Sequence, residues 1–299
     1  MINFYGKKRR SGYFEGWYFK QQSNRETVAL IPAFHVSEDG EPSSSLQVIT
    51  NARSFNIKFP ARAFVADGSK PFIRLNKCFF SPTGCKIDVR SSDCDISGSL
   101  RFGPFTTPRY NIMGPFSVIP FMECHHSVVS LSHSVDGALI INGRRFAFNN
   151  GQGYIEGDSG SSFPKRYVWT HCGWDGNSIM LSVADIPFGR FSFIGCTGFI
   201  FINGKEHRIA TYLGAKLLHI SDDTILLRQG SLLLKIKMLK ANSFLLNAPH
   251  RGSMTRRIHE SVSCPVQYTC SIGGRMLLSF TSEQASFENN WRNIDESIK

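Results

Sequence analysis

The stretch SGYFEGWYFK, Ser11 to Lys20, places one glutamate in a row of aromatic residues. Aromatic residues favour strands, and side chains alternate between the two faces of a strand, so Glu15 shares one face with Tyr13 and Trp17. A carboxyl group buried in such a row must be paired, hydrogen-bonded or neutral. Two interpretations are open. Glu15 anchors the strand through an Arg, Lys or backbone N–H partner, or it is an acid that desolvation keeps protonated.

A second acidic segment is GYIEGDSGSSFPKRYVW, Gly153 to Trp169. It has Glu156 and Asp158 one residue apart, with Tyr154 before them and Trp169 after them. Carboxylates at this spacing can hold a cation, act as an acid–base pair or cap a turn. The Asp and Ser content favours the turn, because these side chains usually bond their own backbone in loops.

The segment FMECHHSVVSLSH, Phe121 to His133, combines cysteine, histidine and glutamate. As a strand it puts Glu123 and His125 on one face and Cys124 and His126 on the other, so Cys124 cannot meet His125. Cys124 is expected to fill space in a core. His126 either satisfies a buried polar contact or handles protons in a cavity.

The segment NAPHRGSMTRRIHES, Asn247 to Ser261, adds basic residues near the end of the chain. If it is extended, Arg256 and Glu260 share one face. Each could pair with a charged residue on a neighbouring strand, and we propose Glu15 as the partner of Arg256.

The elements that position these residues are short strands. Apolar and β-branched runs recur about every ten residues between Gly, Asn, Asp, Ser and Pro. Asn142-Gly143 and Asn203-Gly204 each lie between apolar runs, a strong hairpin signal. Ala285 to Ser297 is the one stretch compatible with a longer amphipathic helix. The pattern predicts an all-β fold of antiparallel barrel or sandwich units with little helix.

The length of 299 residues allows one large domain or two ordinary ones. The Gly- and Ser-rich stretch from Gly151 to Lys165 is a plausible boundary. We predict an N-terminal β unit over residues 1–158 and a C-terminal β unit over residues 159–299.

The net charge of +11 and the pI near 9.4 favour polyanionic partners, either nucleic acid, anionic lipid or an acidic substrate. No zinc-finger spacing, RNA-binding signature or basic heptad is present, which argues against nucleic acid. The eight cysteines form no C-x-x-C pair, so we expect free thiols, no metal site and a cytoplasmic location. The sequence shows no secretory signal, and its longest apolar run, from Phe191, is too short to span a bilayer.

Four segments together resemble the tocopherol cyclase family in order and spacing. They are YFEGWYFK, MECHHSVVSLSHSVDGALIINGR, GYIEGDSGSSFPKRYVW and APHRGSMTRRIHES. Glu123 and His126 fit the family pattern. The family generally has a tryptophan after the aspartate of the third segment, where this chain has Ser159.

The resemblance implies a lipocalin-related fold of two β units and an apolar isoprenoid or prenylquinol substrate. The implied reaction cyclises a prenylated hydroquinone to a chromanol and needs no redox cofactor. A proton adds to the alkene, a tertiary cation develops, and the phenol oxygen closes on it. Related folds include carotenoid hydratases and some pericyclases.

This chemistry suggests roles for the residues already singled out. Glu15 is one candidate acid, and Asp158 with Glu156 is the rival. His126 could take the phenol proton. Aromatic faces stabilise a cation, which gives such a role to the rings that flank these acids. The predicted substrate-binding residues are Tyr13, Trp17, Tyr154, Trp169, Glu123 and Arg256.

Two other function classes remain open at this point. One is a non-catalytic lipid- or isoprenoid-binding β-barrel protein in which the acids are structural. The other is a hydratase or pericyclase that uses the same cavity for another terpenoid. The basic run Lys7 to Arg10 also suggests peripheral contact with anionic membranes.

Overall fold

The computed structural model describes residues 4–67, 70–119, 122–188 and 190–291, and nearly all of its regular structure is antiparallel β-sheet. Short 3-10 turns account for the helical residues, at Gly6–Lys8, Ala61–Ala63, Gly114–Val118 and Thr211–Leu213. The predicted all-β class with little helix is confirmed. In the described part of the chain, no helix is long and apolar enough to cross a membrane.

The chain divides into two compact units. The first consists of Met1–Arg109, Glu123–Phe163 and Leu246–Arg257, and the second of Tyr110–Met122, Pro164–Leu245 and Ile258–Lys299. The boundary between residues 158 and 159 stays a prediction.

The first sheet, counted over the described residues, has eleven strands in the order β4-β3-β2-β1-β11-β10-β9-β8-β7-β6-β5. The strands are β1 Tyr13–Gln22, β2 Thr27–Val36, β3 Pro42–Thr50, β4 Ser54–Pro60, β5 Phe64–Asp67, β6 Lys70–Leu75, β7 Cys78–Ser81, β8 Gly84–Arg90, β9 Asp95–Phe102, β10 Cys124–Ile141 and β11 Arg144–Gly160. The last strand returns to pair with the first, so β1 is flanked by β2 and β11.

The second sheet has the order β15-β14-β13-β12-β21-β20-β18-β17-β16, with β19 paired to β20, again over the described residues. The strands are β12 Tyr167–Trp174, β13 Asn177–Phe188, β14 Phe191–Ile202, β15 Lys205–Ala210, β16 Lys216–Ile220, β17 Thr224–Gln229, β18 Leu232–Met238, β19 Phe244–His250, β20 Ser253–Ile272 and β21 Arg275–Asn289. As in the first sheet, the opening strand pairs with both the next strand and the final one. The two sheets therefore share this arrangement of strands around the opening strand, although β19 lies off the path of the second sheet.

Both predicted Asn-Gly turns are hairpin turns. Asn142 and Gly143 join β10 to β11 with φ of 49° and 79°, and Asn203 and Gly204 join β14 to β15 with φ of 51° and 74°. Positive φ at both central residues is the type I′ geometry that matches the twist of the strands. These turns fix where the pairing of each hairpin begins.

The C-terminal segment corrects one expectation. Ala285 to Asn289 belong to strand β21, and Ala285 and Phe287 are buried in the core of the second sheet. Ladder pairing decides for a strand, because Phe287 lies opposite Thr170 of β12 and opposite Ser261 of β20. Residues 292–299 of the proposed helix lie outside the described residues.

Strand β1 is buried on both of its faces, as its burial pattern shows. Trp17 and Phe19 pack in the main apolar core with Leu30, Leu46 and Ile155. The intervening residues of β1 point to the other face of the sheet, and several are almost inaccessible to solvent. These are Phe14, Tyr18 and Lys20. The polar groups that could do chemistry are distributed between these two faces.

Candidate active site

The residues His126, Glu156 and Asp158 form a compact cluster on the face opposite the main core. His126 on β10 lies directly across from Asp158 on β11, and Val128 lies across from Glu156. His126 Nδ1 is 2.8 Å from Asp158 Oδ1, and Nε2 is 3.4 Å from Glu156 Oε2. One imidazole ring therefore lies between two carboxyl groups.

Two further side chains extend the cluster. The Tyr154 hydroxyl donates to Glu156 Oε2 at 2.6 Å, and the Cys124 thiol donates to Asp158 Oδ1 at 3.6 Å. Tyr154, Glu156 and Asp158 point the same way because they alternate along β11. Hydrogen bonds join Tyr154 to Glu156 and His126 to Asp158, and the 3.4 Å ion-pair contact between His126 Nε2 and Glu156 Oε2 brings the two pairs together.

The electrostatics of the cluster keep His126 charged at neutral pH. Burial alone lowers the pKa of His126, but the Asp158 and Glu156 carboxylates outweigh it and raise the pKa to about 9. Burial, then the Glu156 charge, raises the pKa of Tyr154 well above its usual value. Burial and the neighbouring Asp158 carboxylate raise the pKa of the Cys124 thiol in the same way. Tyr154 and Cys124 thus remain neutral donors, and His126 holds the mobile proton.

The cluster has two chemical uses. The proton between His126 and Asp158 can be passed on, since a carboxylate and an imidazole held at hydrogen-bond distance act as an acid–base pair. Among the residues that the structure describes, His126, Glu156 and Asp158 also bring three ligand atoms within 4.8 Å of one another, a set that could hold a metal ion. The sequence-based expectation of no metal stays a prediction.

Glu15 lies on the opposite face of the sheet, which faces the main core. Its Oε2 accepts hydrogen bonds from the backbone N–H of Tyr5 and of Gly6, both at 2.9 Å, and from the Tyr13 hydroxyl at 2.8 Å. Burial raises the pKa of Glu15 to about 7, and these hydrogen bonds, with the Arg9 charge, partly oppose the rise. Glu15 therefore anchors the N-terminal segment to β1 and is also an acid that titrates near neutral pH.

The pairing of β1 with β11 separates the two predicted acids. Glu15 is opposite Ser159, whereas Asp158 is opposite Gly16. Side chains of directly paired residues point to the same side of a sheet, and adjacent residues point to opposite sides. Ser159, which stands at the place of the family's tryptophan, consequently lies on the Glu15 side. The sheet brings together His126, Glu156, Asp158 and Tyr154, and it keeps Glu15 apart from them.

The remaining predicted residues have other surroundings. Trp17 belongs to the main core and stacks with Phe64 at 6.3 Å between ring centroids. The Tyr13 ring lies 4.9 Å below the Arg9 guanidinium. The backbone carbonyl of Glu123 accepts hydrogen bonds from the backbone N–H groups of Ser161 and Ser162, which follow the end of β11.

Arg256 and Trp169 also lie in defined environments. Arg256 Nη1 donates to the Phe163 carbonyl at 3.5 Å, and its pairing with Glu15 stays a prediction. Trp169 belongs to the second unit, where its ring stacks with that of His171 at 6.4 Å.

Sequence reasoning missed two residues of the cluster's face. Tyr18 pairs directly with Glu156, and Lys20 pairs directly with Tyr154, so both point to the same side as the cluster. Lys20 is almost completely buried. The alternation of β1 indicates that Tyr18 and Lys20 share a face, but only the register against β11 shows which residues they accompany.

The cluster lies in a part of the chain that matches a known family model. Residues 81–187 match the family model described as tocopherol cyclase-like. This region is similar to that family, and we call residues 81–187 the tocopherol cyclase-like region. The resemblance expected from the sequence is thus confirmed, and two of its four segments lie inside the matched residues. The tocopherol cyclase-like region contains His126, Tyr154, Glu156 and Asp158 but not Glu15.

A solved structure supports the fold over the whole chain. The crystal structure of a candidate AttH protein from Nitrosomonas europaea superposes with a TM-score of 0.57 at 12% identity, covering 97% of this chain and 95% of that one. The likeness concerns the fold alone, and it confirms the lipocalin-like antiparallel architecture. No curated protein matches the sequence.

Proposed function

We propose that the protein is a tocopherol cyclase-like enzyme that closes a ring in a prenylated hydroquinone, or in a similar isoprenoid, by protonating an alkene. The observation that carries the proposal is the 2.8 Å contact between His126 Nδ1 and Asp158 Oδ1, inside the tocopherol cyclase-like region. Glu156 and Tyr154 support this pair from the other side of the ring.

The proposed reaction is an isomerisation that returns its proton. The proton shared by His126 Nδ1 and Asp158 Oδ1 moves to the alkene, and a tertiary carbocation forms. The phenol oxygen bonds to that carbon, and the phenol proton passes to the cluster, which regains its starting state. His126 thus starts as a donor and ends as an acceptor, so it can serve both the first step and the last.

The charge of the cluster suits a cationic intermediate. Two carboxyl groups flank one imidazole in the cluster, and this excess of acidic groups can stabilise a positive centre nearby. Tyr18 and Phe14 lie on the same side of the sheet and offer aromatic faces to a cation. These features support ring closure over simple binding.

Glu15 is the less favoured acid despite its raised pKa. The hydrogen bonds to its Oε2 fix the N-terminal segment, and its side chain points to the core face with Trp17. A carboxyl group with these contacts contributes mainly to the stability of the fold. It also lies outside the residues that match the family model.

The test is incubation of purified protein with a prenylated hydroquinone in D₂O, followed by chromatography and mass spectrometry. A chromanol with one carbon-bound deuterium is expected from the wild type and from Asp39→Asn, an exposed-carboxylate control. Asp158→Asn and His126→Gln should give little or none. Retention of unchanged substrate by the wild type would instead indicate a binding protein, and a product heavier by one water would indicate a hydratase.

A further inference from the structure

An exposed apolar patch lies in the second unit. Its three outermost side chains are Val118 and Phe191, each 81% exposed, and Leu213 at 45%. They come from the 3-10 turn at Gly114–Val118, the start of β14 and the 3-10 turn at Thr211–Leu213. We call these three residues the apolar patch.

A layer of aromatic rings joins the patch into one surface. Phe116 stacks with Phe193 at 5.8 Å, and its ring also lies 6.2 Å from that of Tyr212. Each of these three rings is one or two residues from a member of the patch. The exposed side chains are therefore neighbours in space and not isolated apolar residues on a polar surface.

Polar contacts hold the segment that carries Val118 in place. The Thr197 hydroxyl donates to the Ile112 carbonyl at 2.7 Å. Arg208, which is paired with Glu206 in a buried ion pair, donates to the carbonyls of Tyr110 and Asn111 at 3.0 Å each. The patch is thus built on a fixed support, which lowers the entropy lost when a partner is bound.

The charged residues within the segments that form the patch have one sign. The three segments that form it, residues 110–119, 190–198 and 211–218, contain Arg190 and Lys216 and no aspartate or glutamate. Both cations are exposed. An apolar surface with cations and no carboxylates matches a layer of lipid acyl chains beneath anionic headgroups.

We propose that the apolar patch docks the protein on an anionic phospholipid surface, with Phe191 and Val118 inserted among the lipids and Arg190 and Lys216 at the headgroups. The net charge of +11 adds a long-range attraction to such a surface. Docking does not depend on the chemistry of the cluster, so it stands whether or not the proposed reaction is correct.

The test is sedimentation with vesicles of phosphatidylcholine alone or mixed with phosphatidylserine. The wild type should bind the anionic vesicles, and about 0.5 M salt should weaken that binding. The double variant Phe191→Ser, Val118→Ser should lose about tenfold or more in partitioning. Met276→Ser, a 62% exposed residue of β21, is the matched control and should bind as the wild type does.

Two further variants separate the sources of binding. Arg190→Gln with Lys216→Gln should weaken binding to anionic vesicles only, whereas Lys7→Gln with Lys8→Gln tests the basic run of the first unit. Unchanged binding by the Phe191, Val118 variant with an unchanged melting temperature would overturn the proposal. A dimer of the wild type that this variant dissociates, seen by light scattering without lipid, would assign the patch to self-association instead.

Discussion

Glu15 and Asp158 lie on paired strands, one position out of register, and point to opposite faces of one sheet. Glu15 is directed to the core beside Trp17, and Asp158 is directed to His126. The two acids have different hydrogen-bond partners. Their contributions to folding and to chemistry can therefore be measured separately.

The first prediction concerns which acid carries the reaction. Asp158→Asn should lower the turnover number by about 100-fold or more, the usual size of a general acid–base contribution. Glu15→Gln should keep turnover within about threefold. The measurement is deuterium incorporation into product under saturating substrate. If Glu15→Gln loses turnover and Asp158→Asn does not, the proton comes from the core face.

The second prediction concerns the stability contributed by Glu15. Because the folded state raises its pKa from 4.5 to about 7, the folded state binds this proton more tightly than the unfolded state does. The contribution is fully present below pH 4.5 and is lost as the pH rises to about 7. The loss is on the order of 3 kcal/mol.

Urea unfolding of the wild type and of Glu15→Gln, measured at intervals from pH 4.5 to 7.5, tests this linkage. The difference between the two free energies of unfolding should fall with rising pH. Other titrating groups cancel in that difference. A difference that does not change with pH would show that Glu15 titrates normally in the folded protein.

The third prediction concerns the pH range of activity. The pKa of His126 is raised to about 9, so the imidazolium is present below that pH and is lost above it. Turnover should decline as the pH rises through about 9. Tyr154→Phe removes one donor to Glu156 but keeps both carboxylates beside His126, so the decline should persist in that variant.

The ring protons of His126 report the same event by NMR. Asp158→Asn removes one of the two charges that raise the pKa of His126, so the titration midpoint should move to a lower pH. A midpoint that stays unchanged in Asp158→Asn would contradict the assignment of the shared proton.

The fourth prediction concerns Gly160 at the end of β11. Its φ is +154°, and an added Cβ would lie 2.1 Å from the Glu123 carbonyl oxygen, next to Cys124. Gly160→Ala should destabilise the protein by about 2 kcal/mol or more. The added Cβ and the Glu123 carbonyl oxygen are both fixed by the backbone, so neither can rotate away from the collision. Gly143→Ala, where φ is +79° and no atom lies within 4 Å, is the control for positive φ without collision. Thermal unfolding should separate the two variants.

Much of the fold could be predicted from local patterns. The alternation in Tyr13 to Lys20 correctly indicates which residues share a face, and the Asn-Gly pairs correctly mark two hairpins. The helix predicted near Ala285 was wrong. The residue pattern of so short a segment fits the period of a helix as well as that of a strand, and its place in the core of the second sheet makes it a strand. These features depend on neighbours in sequence.

The contact between His126 and Asp158 could not be predicted in this way. Counting back without interruption from the pair Ile141–Arg144 puts His126 opposite Ser159. Irregularities between Val128 and Gly137 shift the pairing by one residue, which places His126 opposite Asp158. A shift of one residue reverses the face on which a side chain lies. The cluster is therefore set by backbone irregularities within the hairpin and not by the alternation of residues along a single strand.

That shift makes the number of residues between the Asn142-Gly143 turn and His126 a constraint in its own right. Deleting or inserting one residue within Val129 to Asp136 would rotate every preceding side chain of β10 by half a turn relative to β11. A length change at the turn itself leaves the irregular stretch in place. Within this hairpin, natural or engineered variation in chain length should consequently be tolerated at the loop end and rejected in the middle of the strand, even where the residues removed carry no functional group.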